Sequence, residues 1–324
     1  MSRIFAESFS FAHQATLVGL WYAGNTFYNI YNKKALNMIE AHWFVASAQL
    51  VVGIFISLAM WLSGIRKMPN LSKGDIMACM PIGLFASLAH CGTVLASAVG
   101  AVSFAQIVKA CEPVFAAAVG VLVPPMDVKP VLAYVMLIPI VGGVGLACIK
   151  EGKGVDINVP AFLFASLANA AASLKGKLGS SVTKSLKSDS TKNMDAANVY
   201  GVMNIISFFF TIPFVVFTEL PTLSETFAKA AEEHGSEEII KNIVISGLFF
   251  YFYNECAFAF TSFVGSVTSS VLNTAKRVII IVVSSIVFQE AMERNTVIGS
   301  AIAICGTFAY SLTSKKPTPK TKAA

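Results

Sequence analysis

Ten stretches of about 18–25 mostly apolar residues follow one another along this chain, separated by short polar or turn-rich segments. A helix of roughly 20 apolar residues spans the ~30 Å hydrocarbon core of a bilayer. Charged residues make up only 13% of the chain, against roughly 25% in soluble domains. We therefore predict an all-α membrane protein with ten transmembrane helices, at residues 14–31, 43–64, 76–98, 101–123, 130–149, 158–182, 196–218, 239–263, 267–289 and 295–314.

An internal repeat divides these helices into two sets. The segment Ser97–Ser103 is similar to Ser262–Thr268, which lies 165 residues further along the chain. This match predicts two five-helix halves, residues 1–155 and 156–314, followed by a basic disordered tail at 315–324. Because five is an odd number, the second half enters the membrane in the opposite orientation to the first. Inverted repeats are typical of transporters, whose substrate binds near the midplane where the repeats meet.

Basic side chains inside the apolar stretches indicate what that substrate is. A charge at the bilayer centre costs roughly 2.5–3.5 kcal/mol on insertion scales, so such residues usually face a polar interior. Two acids, Glu112 and Glu255, accompany five cations at similar depth, and this excess favours an anionic substrate. The five cations are Lys109, Lys175, Lys177, Lys276 and Arg277.

Three of these cations form a candidate phosphate site. Lys109 lies in one repeat, and Lys276 and Arg277 lie in the other, where their repeat counterparts are Cys111 and Glu112. Arginine binds phosphate by a planar fork and lysine as a point charge, so three cations suit one phosphate. A structural alternative is that Lys109 pairs with Glu112, three residues away on the same helix face.

Polar residues on other predicted spans could line the same cavity. His90 and Thr93 lie three apart on one helix face, although a lone intramembrane histidine can equally be a hydrogen-bonded packing residue. Tyr253 could bind a hydroxyl or a carboxylate. Either Lys175 or Lys177 could face the cavity while the other extends towards an interface. We predict no cofactor and no metal site, because the cysteines have no metal-ligand spacing and the acids form no metal-binding motif.

At these residues the sequence resembles the plastid phosphate translocators, the triose-phosphate branch of the drug/metabolite transporter superfamily. The motifs are Trp21-Tyr-Ala-Gly-Asn-Thr-Phe-Tyr-Asn-Ile-Tyr-Asn-Lys-Lys34, Ala101-Val-Ser-Phe-Ala-Gln-Ile-Val-Lys-Ala-Cys-Glu-Pro113, Met194-Asp-Ala-Ala-Asn-Val-Tyr200, Tyr251-Phe-Tyr-Asn254 and Asn273-Thr-Ala-Lys-Arg-Val278.

The resemblance implies ten helices in two inverted halves and obligatory exchange of phosphate for phosphorylated C3, C5 or C6 metabolites. It further implies that His90 and Tyr253 contact the far end of the substrate. Lys175 replaces an arginine usual in the family, and Glu255 replaces a glutamine. The residues that the resemblance assigns to the phosphate itself are Thr93, Lys109, Lys276 and Arg277.

The predicted function is exchange of inorganic phosphate for triose phosphate or 3-phosphoglycerate across a plastid envelope, with the inner membrane favoured. The first residues do not resemble a transit peptide. If Met1 is the native start, an outer plastid membrane or an endomembrane becomes an alternative.

Other functions stay open at this point. They are a phosphoenolpyruvate or sugar-phosphate antiporter, a nucleotide-sugar transporter and a membrane-bound transferase. An enzyme is the least favoured class, because no Asp-rich motif and no Ser/His/Asp arrangement is present. The expected partners are inorganic phosphate, small phosphorylated metabolites and the lipid bilayer. Nucleic acid is not among them, because the net charge of +6 is explained by loop and tail residues. The sequence gives no oligomeric state.

Overall fold

Helices form almost all of the computed structural model, which describes residues 2–150, 154–155, 157–290 and 292–314. The predicted tail at 315–324 lies outside the described residues. The helices are α1 Ser2–Met38, α2 His42–Leu62, α3 Lys73–Val99, α4 Val102–Lys109, α5 Glu112–Leu122, α6 Val131–Val135, α7 Leu137–Ala147, α8 Val159–Ser188, α9 Ala196–Phe214, α10 Leu220–His234, α11 Ser236–Val287 and α12 Arg294–Thr313. Two-residue strands β1 Ile149–Lys150 and β2 Gly154–Val155 pair as an antiparallel ribbon after α7.

Helical structure covers each of the ten predicted stretches. Within the described residues, six helical segments are long and apolar enough to cross a membrane: His42–Leu62, Lys73–Val99, Val102–Leu122, Ala196–His234, Ser236–Thr261 and Arg294–Thr313. Val131–Ala147 is a shorter apolar helical segment. These helices identify a multi-pass membrane protein.

The acidic segment 219–238 was expected to be a polar break, and this expectation was wrong. A π-helical turn at Val215–Glu219 joins α9 directly to α10. Leu223, Phe227 and Ala230 recur at helical spacing, and they pack on a buried cluster against α1 and α11. The acids of α10 itself, at positions 225, 232 and 233, are exposed. The sequence signal was present as this apolar spacing, which the high local charge obscured.

The sequence predicted a break between the spans 239–263 and 267–289. The backbone is helical throughout this region, yet α11 turns back on itself there. Along a straight helix, Tyr253 and Lys276 would lie about 34 Å apart. Instead the Lys276 Nζ lies 5.5 Å from the centre of the Tyr253 ring, and the Thr261 Oγ1 lies 2.7 Å from the Ser269 Oγ. The first arm of α11, Ser236–Thr261, therefore runs beside its second arm, 269–287.

Small residues let the helices approach closely. A Cβ atom added to Gly143 on α7 would lie 2.5 Å from the Ala303 nitrogen and 2.6 Å from the Gly299 oxygen on α12. Such contacts are typical of membrane helices, whose association depends on close van der Waals packing. In the same way α1 packs along α11, with Trp21 buried against Cys256 and Phe260, and α3 packs along α8.

Side chains from distant parts of the chain satisfy the helix ends on one side of the bundle. The Glu290 carboxylate accepts hydrogen bonds from the backbone nitrogens of Val102 and Ser103 at 2.9 and 3.1 Å, at the start of α4. The Lys33 Nζ donates to the carbonyl oxygens of Ser97 and Gly100 at 2.8 and 3.0 Å, at the end of α3. These contacts satisfy backbone groups at both ends of the α3–α4 connection and hold it in place.

Candidate substrate-binding cavity

A cavity of about 250 Å³ lies inside the helical bundle. Its wall is formed by residues of α1, α2, α3, α4, α5, α8, α9 and both arms of α11. The wall contains all seven of the site residues expected from the sequence: His90, Thr93, Lys109, Lys175, Tyr253, Lys276 and Arg277.

A broken helix positions the first cation of this cavity. Pro113 cannot donate a backbone hydrogen bond, and its ring clashes with the carbonyl group four residues earlier, so the helix stops after Lys109 and restarts at Glu112. Groups on neighbouring helices satisfy carbonyls near the break. The Asn169 Nδ2 donates to the Val108 oxygen at 3.0 Å, and the Thr307 Oγ1 donates to the Ala110 oxygen at 3.0 Å.

Lys109 faces Thr93 rather than Glu112. Its Nζ donates to the Thr93 Oγ1 at 2.8 Å, and the Thr93 hydroxyl donates to the Ala89 carbonyl at 2.7 Å. Glu112 instead accepts from the Arg277 Nη2 at 2.5 Å. The alternative pairing of Lys109 with Glu112 is therefore not formed. Glu112 pairs instead with Arg277, which lies 165 residues further along the chain.

Lys276 lies between two aromatic rings. Its Nζ is 5.0 Å from the centre of the Trp21 ring and 5.5 Å from that of Tyr253, distances at which a ring face attracts a cation. The residue is 9% exposed. No carboxylate within the described part of the chain lies within 4 Å of this ammonium group. Among the described residues its charge therefore has no direct ion-pair partner, an arrangement that favours an anionic ligand.

The balance of charge over the whole cavity is positive. Four cationic side chains, at positions 109, 175, 276 and 277, line it together with one carboxylate, Glu112. The second intramembrane acid, Glu255, is absent from the wall residues that the structure describes. It forms a two-bond ion pair with Arg66 at 2.6 and 3.3 Å. This pairing could not be predicted from the sequence, because the two residues lie 189 positions apart.

The structure distinguishes the two lysines of α8. Lys175 lines the cavity. Lys177 lies about a half-turn further round the helix, and its Nζ contacts the carbonyl oxygen of Pro125 in the loop after α5. Lys175 also lines an adjoining outer pocket that contains Thr183 and Lys187 on the same face of α8.

His90 serves both packing and cavity lining. Its Nε2 lies 3.1 Å from the Ala46 carbonyl oxygen, and its ring centre lies 4.1 Å from that of Phe250. The other ring nitrogen, Nδ1, is buried and has no hydrogen-bond partner among the described residues. Tyr253 likewise both lines the cavity and packs against neighbouring rings. Its ring centre lies 5.4 Å from that of Tyr28 and 5.8 Å from that of Phe250.

Several residues of the cavity wall were not predicted as site residues from the sequence. Trp21 was noted only as part of a motif, although its ring faces the Lys276 ammonium group. Tyr28, Tyr200 and Asn204 also line the cavity. Tyr28 and Tyr200 lie within two of the quoted motifs, but nothing in the sequence distinguished them or Asn204 from packing residues.

Comparison with known proteins gives a consistent result. The model of the Triose-phosphate Transporter family matches residues 12–311. The chloroplastic xylulose 5-phosphate/phosphate translocator of Arabidopsis thaliana is 32% identical, over 92% of this chain and 69% of that protein. The chloroplastic phosphoenolpyruvate/phosphate translocator 1 of Oryza sativa subsp. japonica is 30% identical, over 94% and 73%. The chloroplastic triose phosphate/phosphate translocator of Flaveria pringlei is 31% identical, over 92% and 70%.

A solved crystal structure shares the fold alone. It is 12% identical, covers 93% of this chain and 98% of its own, and superposes with a TM-score of 0.51.

Proposed function

Since this chain belongs to the Triose-phosphate Transporter family, we propose that it is an antiporter exchanging inorganic phosphate for a small phosphorylated metabolite. The observation that carries the proposal is the cavity wall, in which four cations face one carboxylate. Thr93, Lys109, Lys276 and Arg277 would hold the phosphate group. A phosphate carries about −1.5 to −2 charges at neutral pH, which would offset roughly half to two-thirds of the excess positive charge of the wall.

The charges also supply a reason for obligatory exchange. An empty cavity lined by cations is best stabilised by water, so it favours a state open to one side. Bound phosphate would reduce the positive charge of the wall and so permit both sides to close. A ligand shifts a conformational equilibrium only by binding one state more tightly than another. Phosphate and its counter-substrate would therefore each lower the barrier between the two open states. Return of the protein without a substrate would be slow.

Alternating access would come from two inverted five-helix halves, 1–155 and 156–314, with ten membrane crossings. The Glu112–Arg277 ion pair supports this arrangement. These two residues are repeat counterparts, 165 positions apart. Counterparts that lie next to the axis relating two repeats touch each other, as these two do. Their contact would let the halves rock about a fixed central point.

For the counter-substrate, we propose triose phosphate or 3-phosphoglycerate. A cavity of about 250 Å³ is smaller than the roughly 300–1,000 Å³ typical of drug-sized ligands, which suits a small metabolite better than a nucleotide sugar. His90, Lys175 and Tyr253 would contact the end of the substrate away from the phosphate. Relatives named for xylulose 5-phosphate and phosphoenolpyruvate keep those substrates as alternatives. The membrane would be a plastid envelope, with the inner membrane favoured, because these relatives are chloroplastic.

The test is uptake of labelled phosphate into liposomes that contain the purified protein. Separate batches are preloaded with phosphate, dihydroxyacetone phosphate, 3-phosphoglycerate, phosphoenolpyruvate, glucose 6-phosphate, a nucleoside monophosphate or buffer. We expect uptake against phosphate and a phosphorylated C3 compound, and little against buffer. Uptake that is independent of the preload would contradict exchange, and uptake only against the nucleotide would indicate a nucleotide-sugar transporter instead.

A further inference from the structure

Two aromatic rings are the direct neighbours that attract the Lys276 ammonium group. Its Nζ lies over the Trp21 ring at 5.0 Å and over the Tyr253 ring at 5.5 Å. The carboxylate described in the cavity wall, Glu112, is paired with Arg277. The other cations of the wall carry the same charge as Lys276 and repel it. The negative faces of the two rings therefore counteract this repulsion at close range.

Packing fixes the position of the Trp21 ring. Trp21 is 3% exposed, and it packs in a buried cluster with Cys256 and Phe260 of α11. Its ring meets the Tyr22 ring edge-on at 5.7 Å and the Phe260 ring at 6.1 Å. A side chain enclosed in this way has little freedom to change rotamer. The ring is thus a fixed surface for an ammonium group that sits on a flexible four-carbon stem.

The next residue of α1, Tyr22, holds the backbone that carries Lys276. The Tyr22 hydroxyl donates a hydrogen bond to the Leu272 carbonyl oxygen on the second arm of α11. Leu272 lies four residues before Lys276 in the same helix, and a carbonyl at this spacing accepts from the backbone nitrogen of the later residue. Adjacent residues of α1 therefore contact both ends of this lysine, Tyr22 near its backbone and Trp21 at its ammonium group.

An anion can bind Lys276 while the ammonium group stays on the rings. The group has three N–H donors, and two rings cannot cover all of them. Lys276 also lines the cavity, so a remaining donor can reach a phosphate oxygen there. Immobilising a flexible side chain at the moment of binding weakens affinity. Rings that immobilise the lysine beforehand therefore strengthen the binding of phosphate.

We propose that Trp21 is a positioning residue for phosphate binding. Its ring, with that of Tyr253, holds the Lys276 ammonium group in the cavity wall against the repulsion of the other cations. This inference rests on the proposed function and deepens it, because it gives the phosphate site a residue that acts through another side chain. Weakening the attraction of the ring should raise the KM for phosphate. The maximal rate should change little, because saturating phosphate itself holds the ammonium group in place.

Two substitutions vary the attraction of the ring. Trp21→Phe keeps a smaller and less attractive ring, and Trp21→Leu removes the ring. In phosphate–phosphate exchange by liposomes, Trp21→Leu should raise the KM for phosphate about 2- to 30-fold, the range that a cation–π attraction spans. Trp21→Phe should raise it less. A lower maximal rate with an unaltered KM in both variants would overturn the proposal.

Fluorinated tryptophan separates the charge of the ring from its packing. Ring fluorines withdraw negative charge from the ring face and change the size of the ring little. The chain has two other tryptophans, Trp43 and Trp61 in α2, and neither is among the described residues of the cavity wall. The unaltered protein and Trp21→Phe are each produced with tryptophan carrying no, one, two or three ring fluorines. We expect the KM for phosphate to rise with each fluorine in the unaltered protein and to stay constant in Trp21→Phe.

Each other outcome contradicts a stated claim. A KM that ignores the fluorines in the unaltered protein would overturn the proposal and leave Trp21 as a packing residue. An equal rise in Trp21→Phe would assign the effect to Trp43 or Trp61. If the unaltered protein exchanges no phosphate at all, the proposed antiport itself fails. Unfolding temperatures are measured alongside, and the fluorinated protein carries the test if a Trp21 variant does not fold.

Discussion

Replacing Lys276 by methionine should impair transport without destabilising the protein. The Lys276 ammonium group is buried between two rings and has no carboxylate within 4 Å among the described residues. Removing it costs a cation–π attraction of about 0.5–2 kcal/mol, but it also removes the cost of keeping an unpaired charge out of water. The two effects oppose each other, so the free energy of unfolding should change little.

The affinity for phosphate should change much more than the free energy of unfolding. A hydrogen bond to a charged group contributes about 1.5–3 kcal/mol, which corresponds to a roughly 10- to 150-fold weaker affinity. We expect the Lys276→Met variant to show a KM for phosphate raised by at least tenfold, with no loss of thermal stability. The assay is labelled-phosphate uptake into liposomes, with the unfolding temperature measured in detergent. Normal exchange by this variant would refute the reasoning, and so would a large fall in stability with unaltered phosphate binding.

Three further predictions concern contacts between distant parts of the chain. Arg277→Met leaves the partly buried Glu112 without its cation. Unlike Lys276→Met, it should therefore lower the free energy of unfolding by about 1–3 kcal/mol as well as impair exchange. An unchanged unfolding temperature would contradict this. Gly143→Ala should lower the unfolding temperature, because its Cβ would lie 2.5 Å from a backbone nitrogen of α12, whereas Gly142→Ala, with nothing within 4 Å, is the matched control. Glu290→Gln removes one of two carboxylate acceptors at the start of α4 and should cost about 0.5–2 kcal/mol in chemical denaturation; equal midpoints for variant and parent would count against that role.

The sequence predicted the helices well where length and apolarity set the outcome. A long apolar segment has to satisfy its backbone hydrogen bonds internally in lipid, so its helical state follows from composition alone. The prediction was wrong for residues 219–238, where many charges hid the helical spacing of Leu223 and Phe227. It also predicted a break near residue 265. The backbone reverses direction there but stays helical, so no loop separates the two arms of α11.

For the site, the sequence identified which residues are costly to bury but not which partners they have. An intramembrane cation is expensive wherever it lies, so Lys109, Lys276 and Arg277 could be selected from the chain alone. Pairing depends on distances between helices. Only the tertiary structure decided that Glu112 pairs with Arg277 rather than Lys109, that Glu255 pairs with Arg66, and that Lys175 rather than Lys177 lines the cavity.

The chain by itself thus determined a membrane-spanning helical protein with an excess of positive charge in its interior, because hydropathy and charge are properties of single residues. The tertiary structure alone decided which polar atoms share a wall and which are left without partners. Tyr28, Tyr200 and Asn204 illustrate the difference, since their positions along the chain do not show that they share a wall. They line one cavity only because α1 and α9 pack beside α3 and α11.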